Sequence, residues 1–437
     1  MNRINHKMLD VIGVGIGPSN LSLAALLNAC PDISARFFDR RREFQWHEGL
    51  LLASAELQVP FIKDLVTPVD PTNPFSFLNY LRSQQRLHQF LNAEYPRVLR
   101  REFNQYFRWV CQQLPTLFFG VAVEKVEFDG DCFAVKTEHQ TFYARHVVLG
   151  LGVTPLVPAC ARSLLGPTLF HASDLLRNRD SLAGLRVAVI GGGQTGAEIV
   201  LSCIDQGCPS IRELTWLTRR ANFLPLDESP FVNEMFTPVY SDYFFQLDRL
   251  TRQQILQEFK LASDGISSST LRTIYRRLYE IRYLEGSPAI RLLPAHELTG
   301  VEPSISGGWT LKVEDLLGHC RHELDVDACI LCTGYKPTSP KILSEELLRR
   351  LSYEGKTLQL KGDFSVVWDG PDSARMYFQN HAREIRGIAD PNLSLLAWRS
   401  AKIINSIAGY EVYSLKDCNC LVDWALRERR PVPGASS

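Results

Sequence analysis

The chain has 437 residues, 45% hydrophobic and 22% charged, with 48 basic and 48 acidic side chains. That length buries two or three globular cores, and a net charge of zero supplies no bulk attraction to nucleic acid or an anionic membrane. No apolar run approaches the roughly 20 residues of a membrane span, and residues 1–7 lead into the first strand without a signal-peptide pattern. Eleven cysteines, mostly in apolar segments, suit a reducing cytoplasm rather than a disulfide framework.

The first predicted unit spans Asp10–Asn20, D-V-I-G-V-G-I-G-P-S-N, and runs on into Leu21–Leu27. It reads as a buried strand, a glycine turn and a helix. The turn aligns as Gly15-x-Gly17-x-x-Asn20, with Pro18 inside it and Asn20 in place of the usual third glycine. Gly15 permits the tight turn, and Gly17 lets backbone N–H groups close on a pyrophosphate at the helix N-terminus. A second strand, Arg36–Asp39, ends in an acid suited to a ribose hydroxyl. Glycine turns also join strands to helices without a ligand, but strand, helix and acid together point to a dinucleotide. The position at the start of the chain favours FAD over NAD.

Prolines at 60, 68, 71 and 74 predict a loop region over this unit, with Phe44–Leu51 and Leu57–Pro68 supplying aromatics that could flank a flavin. Lys63 stands among apolar neighbours there, and spacing alone makes it a snorkelling surface lysine. Phe75–Leu91 and Arg101–Leu114 are expected to be helical, and Tyr143–Leu156 is a β-rich run closing the first lobe at Gly150 and Gly152.

The second fingerprint follows the strand Leu185–Ile190 and places Gly191, Gly193 and Gly196 at GxGxxG spacing before a helix. The next strand, Leu214–Arg220, ends in Arg219 and Arg220 where an NAD site would carry an acid. A guanidinium binds a 2′-phosphate bidentately, so the second nucleotide is expected to be NADPH; the bland alternative is two arginines solvating a strand end. Leu247–Leu261 and Thr270–Leu284 have helical periodicity, with Ser267–Ser269 as N-caps. Ala328–Pro337 returns to strand, and its Cys329-x-x-Cys332 lacks a second pair, so structural thiols are expected. Asp390–Asn405 is a capped helix returning to the first domain. The predicted fold is α/β: two Rossmann-like dinucleotide domains with a small helical substrate-binding insertion. The expected boundaries are 1–175 plus 328–437 for FAD, and 176–327 for NADPH with the insertion at about 225–285. No metal site is expected.

Several motifs carry a resemblance across nearly the whole chain. They are G-x-G-P-x-N-L at Gly15–Leu21, F-x-W-H-x-G at Phe44–Gly49, F-x-K-D-L-V at Phe61–Val66 and P-T-N-P-F-S-F-x-N-Y-L at Pro71–Leu81. G-G-G-Q-T-G-A-E at Gly191–Glu198, F-x-N-E at Phe231–Glu234, S-D-G-I at Ser263–Ile266, T-G-Y at Thr333–Tyr335 and L-S-L-L-A-W-R-S-A-K-I at Leu393–Ile403 complete the set. The chain resembles the flavin-dependent N-hydroxylating monooxygenases of siderophore biosynthesis, the lysine and ornithine N-monooxygenases. It is closer to the lysine and diamine branch, because Ser263-Asp264-Gly265 stands where ornithine enzymes carry a Thr-Asn pair. The resemblance implies that Gln58 and Lys63 sit beside flavin and substrate, with Lys63 on the substrate's polar tail. It also implies that Asn233 binds substrate, that Ser394 lines the site, and that Gln194, Thr195 and Arg219 contact NADPH. Trp46, His47, Thr333 and Gly334 join the cofactor-binding set by the same likeness. The implied reaction is reduction of FAD by NADPH, activation of O2 and hydroxylation of a neutral primary amine, to supply a siderophore precursor. A homo-oligomer is implied too.

Two other flavoprotein classes share the plan of two nucleotide folds. A disulfide reductase needs a redox cysteine pair near the flavin, and none follows the first fingerprint. A Baeyer–Villiger or sulfur-oxidising monooxygenase wants F-x-G-x-x-x-H-x-x-x-W; here Gly166 and His171 are misspaced and the Phe and Trp are missing. A non-catalytic NADPH-binding protein could dispense with Lys63 and Asn233, and both are present.

Overall fold

The computed structural model describes residues 8–205, 211–415 and 420–425. Residues 1–7, read above as carrying no signal peptide, lie outside the described residues. Two sheets organise the rest. The first is seven-stranded, in the order Leu117–Phe119, Ala35–Asp39, Leu9–Val14, Thr141–Leu149, Phe133–Thr137, Val123–Phe128, with Met376–Phe378 also pairing to Thr141–Leu149. Leu9–Val14 and Ala35–Asp39 are parallel because the helix Pro18–Leu27 crosses between them. Every residue of that helix from Ser19 to Leu27 is buried, with helix Leu396–Ala408 packed against it. A helix apolar on all sides is stable only when covered in this way.

The second sheet is wholly parallel, in the order Ala289–Leu293, Glu213–Leu217, Arg186–Ile190, Ala328–Leu331, Leu169–His171. Helices Gln194–Ile204 and Ser268–Glu280 pack together over one side of it. The antiparallel strands His296–Pro303, Trp309–Asp315 and Cys320–Val326 share a second apolar core with the other. This corrects the expected boundaries at both joints. Leu169–His171 and Ala328–Leu331 belong to the second sheet, although they fall within 1–175 and 328–437. A short buried strand reads the same whichever sheet it joins. The ribbon of Val153–Pro155 with Tyr335–Pro337 is where the chain passes between the two sheets.

The expected insertion at 225–285 also divides. The helices Pro230–Asn233 and Pro238–Gln246, with the 3-10 turn Glu234–Phe236 between them, give Val232, Met235, Phe236, Tyr240 and Phe244 to the core of the first sheet. Ser268–Glu280 is instead the crossover that makes Ala289–Leu293 parallel to Glu213–Leu217. Phe75–Leu91 forms two helices, Phe77–Ser83 and Leu87–Asn92, with Gln85 between them at a left-handed φ of 56°. Among the described residues no helix is long and apolar enough to cross a membrane.

Candidate active site

The first glycine turn separates two jobs. Gly15 has φ 85°, and an added Cβ would lie 2.3 Å from the Gly150 carbonyl oxygen, so only glycine fits. Gly17 has ordinary φ and nothing within 4 Å of a Cβ position. It is the N-cap of Pro18–Leu27, which has neither a side-chain cap nor an acid in its first turn. The first-turn amides and the positive end of the helix dipole are therefore left to an anion. Asn20 has another role: its amide donates to the carbonyls of Gly15 (2.7 Å), Val14 (3.3 Å) and Val148 (3.4 Å). It stitches the turn to strand Thr141–Leu149, a task a third glycine could not perform.

This turn opens into a cleft of about 1200 Å³ whose lining includes Gly15, Gly17, Pro18, Asn20, Asp39, Trp46 and His47. Asp39 is buried; one oxygen accepts from the Ile16 N–H (2.8 Å) and the other from the Arg41 N–H and Nε. Burial pulls its pKa up, but Arg41 and these amides outweigh that and hold it below the usual carboxylate range. Sequence reasoning missed Arg41, which also reaches the carbonyls of Gln45 and Ile16. An arginine two residues beyond the strand-end acid was the available signal. Trp46 packs edge-on to Phe107 at 5.3 Å. His47 faces the open cleft yet is ringed by protein; that desolvation, and then the charge of Arg100, pushes its pKa down to about 4. The ring is neutral at physiological pH. Asn380 and Asn392 complete the floor, and buried Arg399 donates to Asn380 (2.8 Å), Ser19 (3.1 Å) and Asp390 (2.9 Å). An uncapped helix N-terminus, a glycine open to the cleft and an acid at the next strand end fit FAD.

The second turn repeats the design. Gly191 has φ 135°, and a Cβ there or on Gly196 would meet a backbone oxygen at 2.2 Å. Gly193 caps Gln194–Ile204 in extended conformation, without a side-chain cap or a first-turn acid, which suits a second pyrophosphate. Gln194 accepts from the Ser267 N–H (2.8 Å) and donates to Glu198 (3.0 Å); Thr195 is half-buried beside it. Glu198 pairs at 2.9 Å with Arg100, whose helix Arg100–Cys111 belongs to the first lobe, so this turn is tied to the flavin side. The two arginines differ. Arg219 is exposed and, among the described residues, meets only Glu297, at 3.1 Å, so it can turn to a phosphate. Arg220 donates to the Gly192 and Asp264 carbonyls (3.0 and 2.8 Å) and holds the turn against the insertion. Cys329 and Cys332 have thiols pushed well up by burial, consistent with structural roles. Thr333 donates to the Leu156 carbonyl (2.6 Å) and Gly334 accepts from His171 (3.0 Å). These two residues organise the interlobe ribbon rather than the cleft wall, which Tyr335 lines.

The residues expected at the substrate are spread over three segments. Buried Asp64 accepts from the Val66, Thr67 and Phe77 amides and so shapes the loop that carries Lys63. The Lys63 ammonium is half-buried, its pKa is lowered by that burial, and it has no acidic partner among the described residues. Gln58 Nε2 is buried without a hydrogen-bond partner among the described residues. Leu57 N–H donates to the Val98 carbonyl (2.8 Å), Arg97 pairs with Glu228, and Asn233 donates to the Glu228 carbonyl (3.2 Å). That chain of contacts joins the Gln58 loop to the exposed Asn233. Ser394 is buried and donates to Asn392, one residue from the cleft-lining Leu393. Phe231, at the head of the F-x-N-E motif, is 75% exposed. Gly265 is required because a Cβ would meet the Leu226 backbone at 2.4 Å, and Asp264 faces Arg383 at 3.6 Å. Ser263-Asp264-Gly265 thus has a packing cause of its own.

With this geometry in hand, comparisons with known proteins give three points of reference. The sequence profile of the L-lysine 6-monooxygenase/L-ornithine 5-monooxygenase family matches residues 7–337. The L-lysine N6-monooxygenase of Escherichia coli is 38% identical over 96% of this chain and 99% of its own length. The FAD-bound cadaverine monooxygenase of the desferrioxamine pathway from Erwinia amylovora superposes with a TM-score of 0.90. It is 30% identical and covers 97% of this chain and all of its own. The ornithine N-hydroxylase of Kutzneria sp. 744, with reduced FAD, NADP+ and L-ornithine, superposes at 0.85, is 29% identical, and covers 92% of this chain and 99% of its own.

Proposed function

Because the chain belongs to the L-lysine 6-monooxygenase/L-ornithine 5-monooxygenase family, we propose that it hydroxylates, with O2, the terminal amine of a short alkyl chain whose far end bears a carboxylate. It is an FAD- and NADPH-dependent N-monooxygenase acting on a primary amine. The observation that carries the reading is the pair of uncapped glycine-turn helices, one on each parallel sheet, tied together by Arg100 and Glu198. When bound, NADPH supplies the hydride and FAD activates oxygen. Gly15, Gly17, Pro18 and Asp39 would hold FAD, with Trp46 and His47 on the cleft wall. Gly191, Gly193, Gly196, Gln194, Thr195 and Arg219 would hold NADPH.

Lys63 supports the carboxylate. A half-buried ammonium without an acidic partner among the described residues is costly, and an anionic substrate group would complete the pair. Gln58, Asn233 and Ser394 would then orient the alkyl amine and keep water from it. An alkylammonium with pKa near 10.4 has no lone pair to attack with, so the pocket must favour the neutral amine. The product would be a siderophore precursor, made in the cytoplasm by a homo-oligomer.

A second reading, a diamine substrate, is favoured by the 0.90 superposition on the cadaverine monooxygenase. L-lysine and cadaverine differ only in the carboxylate. Hydroxylamine formed per NADPH should be compared for these two, then for ornithine, putrescine and histamine. Better coupling with cadaverine than with lysine would replace the first reading by the second.

A further inference from the structure

A cluster made of none of the nucleotide-binding residues named above is built like a metal centre. On the three-stranded antiparallel sheet, His296 pairs across strands with Asp315, while His322 stands opposite Val313. Cross-strand partners point to one face, and residues two apart on a strand share it. The apolar residues Leu298, Leu311 and Val313 fill that face and end at these three polar side chains. One donor atom from each of His296, Asp315 and His322 lies within 4.8 Å of the other two.

The surroundings orient these donors. His296 Nδ1 donates to the Pro294 carbonyl at 2.6 Å, so its Nε2 carries the lone pair. A backbone carbonyl that accepts from the other ring nitrogen is a usual second partner of a metal-binding imidazole. Asp315 Oδ1 accepts from the Leu317 and Gly318 amides at 2.9 and 3.0 Å, which leaves Oδ2 to a ligand. The strand start is clamped as well: Ala295, held at φ 56°, donates to the Arg220 carbonyl, and His296 N–H donates to Thr218.

We propose that His296, Asp315 and His322 bind a divalent transition ion of the Zn2+ class. Two imidazoles and one carboxylate suit Zn2+, Ni2+ or Cu2+, whereas Mg2+ and Ca2+ demand oxygen donors. Ligand bonds of about 2.0–2.1 Å need donors about 3.3 Å apart in a tetrahedron, a closure that small side-chain rotations supply. The fourth position is open to water or to Cys320, the cross-strand neighbour of Asp315.

The test uses the full FAD-loaded chain. Zn2+ is titrated by calorimetry into the unmutated protein, His296→Ala and His322→Ala, with exposed His88→Ala as the control. Cu2+ is added for electron paramagnetic resonance. The expected result is one saturable equivalent in the unmutated and His88→Ala proteins, weakened at least tenfold in either cluster variant. Nitrogen hyperfine structure from two imidazoles should drop to one in each cluster variant. His322 is exposed, so its variant keeps the test interpretable if His296→Ala folds poorly. Identical titrations for the unmutated protein and His322→Ala would overturn the assignment, as would an absence of saturable binding.

Discussion

Gly15 and Gly17 lie in one turn, and a single added methyl group should act oppositely at the two. In Gly15→Ala the residue must adopt φ 85°, which costs an L-residue about 1–2 kcal/mol. Its Cβ would lie 2.3 Å from the Gly150 oxygen, forcing apart strands Leu9–Val14 and Thr141–Leu149 at an overpacking cost of about 1–3 kcal/mol. The loss of about 2–5 kcal/mol should therefore be present with no cofactor bound. Gly17→Ala meets no atom within 4 Å, and alanine for glycine at an N-cap costs at most about 1 kcal/mol. Its methyl instead enters the space above the uncapped amides that a pyrophosphate needs, so FAD affinity should fall about 10–100-fold, or about 1.4–2.8 kcal/mol. Urea unfolding of FAD-stripped protein and fluorescence titration with FAD separate the two effects. Unfolding of stripped Gly15→Ala at the unmutated midpoint, or unchanged FAD affinity in Gly17→Ala, would refute this division of roles.

Three further outcomes are expected. Arg219→Ala should narrow the preference for NADPH over NADH by about 1.5–3 kcal/mol, typical of a charged hydrogen bond, measured as the ratio of kcat/KM values; an unchanged ratio would make Arg219 a solvating strand end. Lys63→Ala should raise KM for a carboxylate-bearing amine while leaving the rate of flavin reduction by NADPH nearly intact, and equal KM values would return Lys63 to a packing role. His146 is buried, and burial, then Arg375 and Arg145, pushes its pKa down to about 4. Below the unfolded value of about 6.5 the unfolded chain takes up a proton that the native state refuses. Stability is thus full above about pH 6.5 and is lost as pH falls toward 4, by up to roughly 3 kcal/mol at about 1.4 kcal/mol per pH unit. His146→Asn, which can still accept from the Arg375 N–H, should flatten the fall of the urea midpoint between pH 6.5 and 4.5.

Features that depend on a few neighbouring residues were legible in the sequence. Both strand–turn–helix units stand where the glycine spacing puts them, because positive φ at Gly15 and Gly191 is a local backbone demand. The burial of Cys329 was likewise legible, since an unbroken apolar run can only be interior. What the chain order does not carry is which distant groups meet. Arg219 and Arg220 are equivalent as letters, yet one faces solvent and the other holds the Gly192 and Asp264 carbonyls. Asn20 occupies a glycine's place because a strand more than a hundred residues on offers Val148 as an acceptor. Leu169–His171 joins the second sheet, and Ser268–Glu280 is a crossover rather than part of the insertion. The His296, Asp315 and His322 cluster exists only in the register of three strands. Backbone conformation is set by short-range sterics, so a motif predicts it. Partnership between remote side chains is set by how whole sheets pack, and only the tertiary structure decides it.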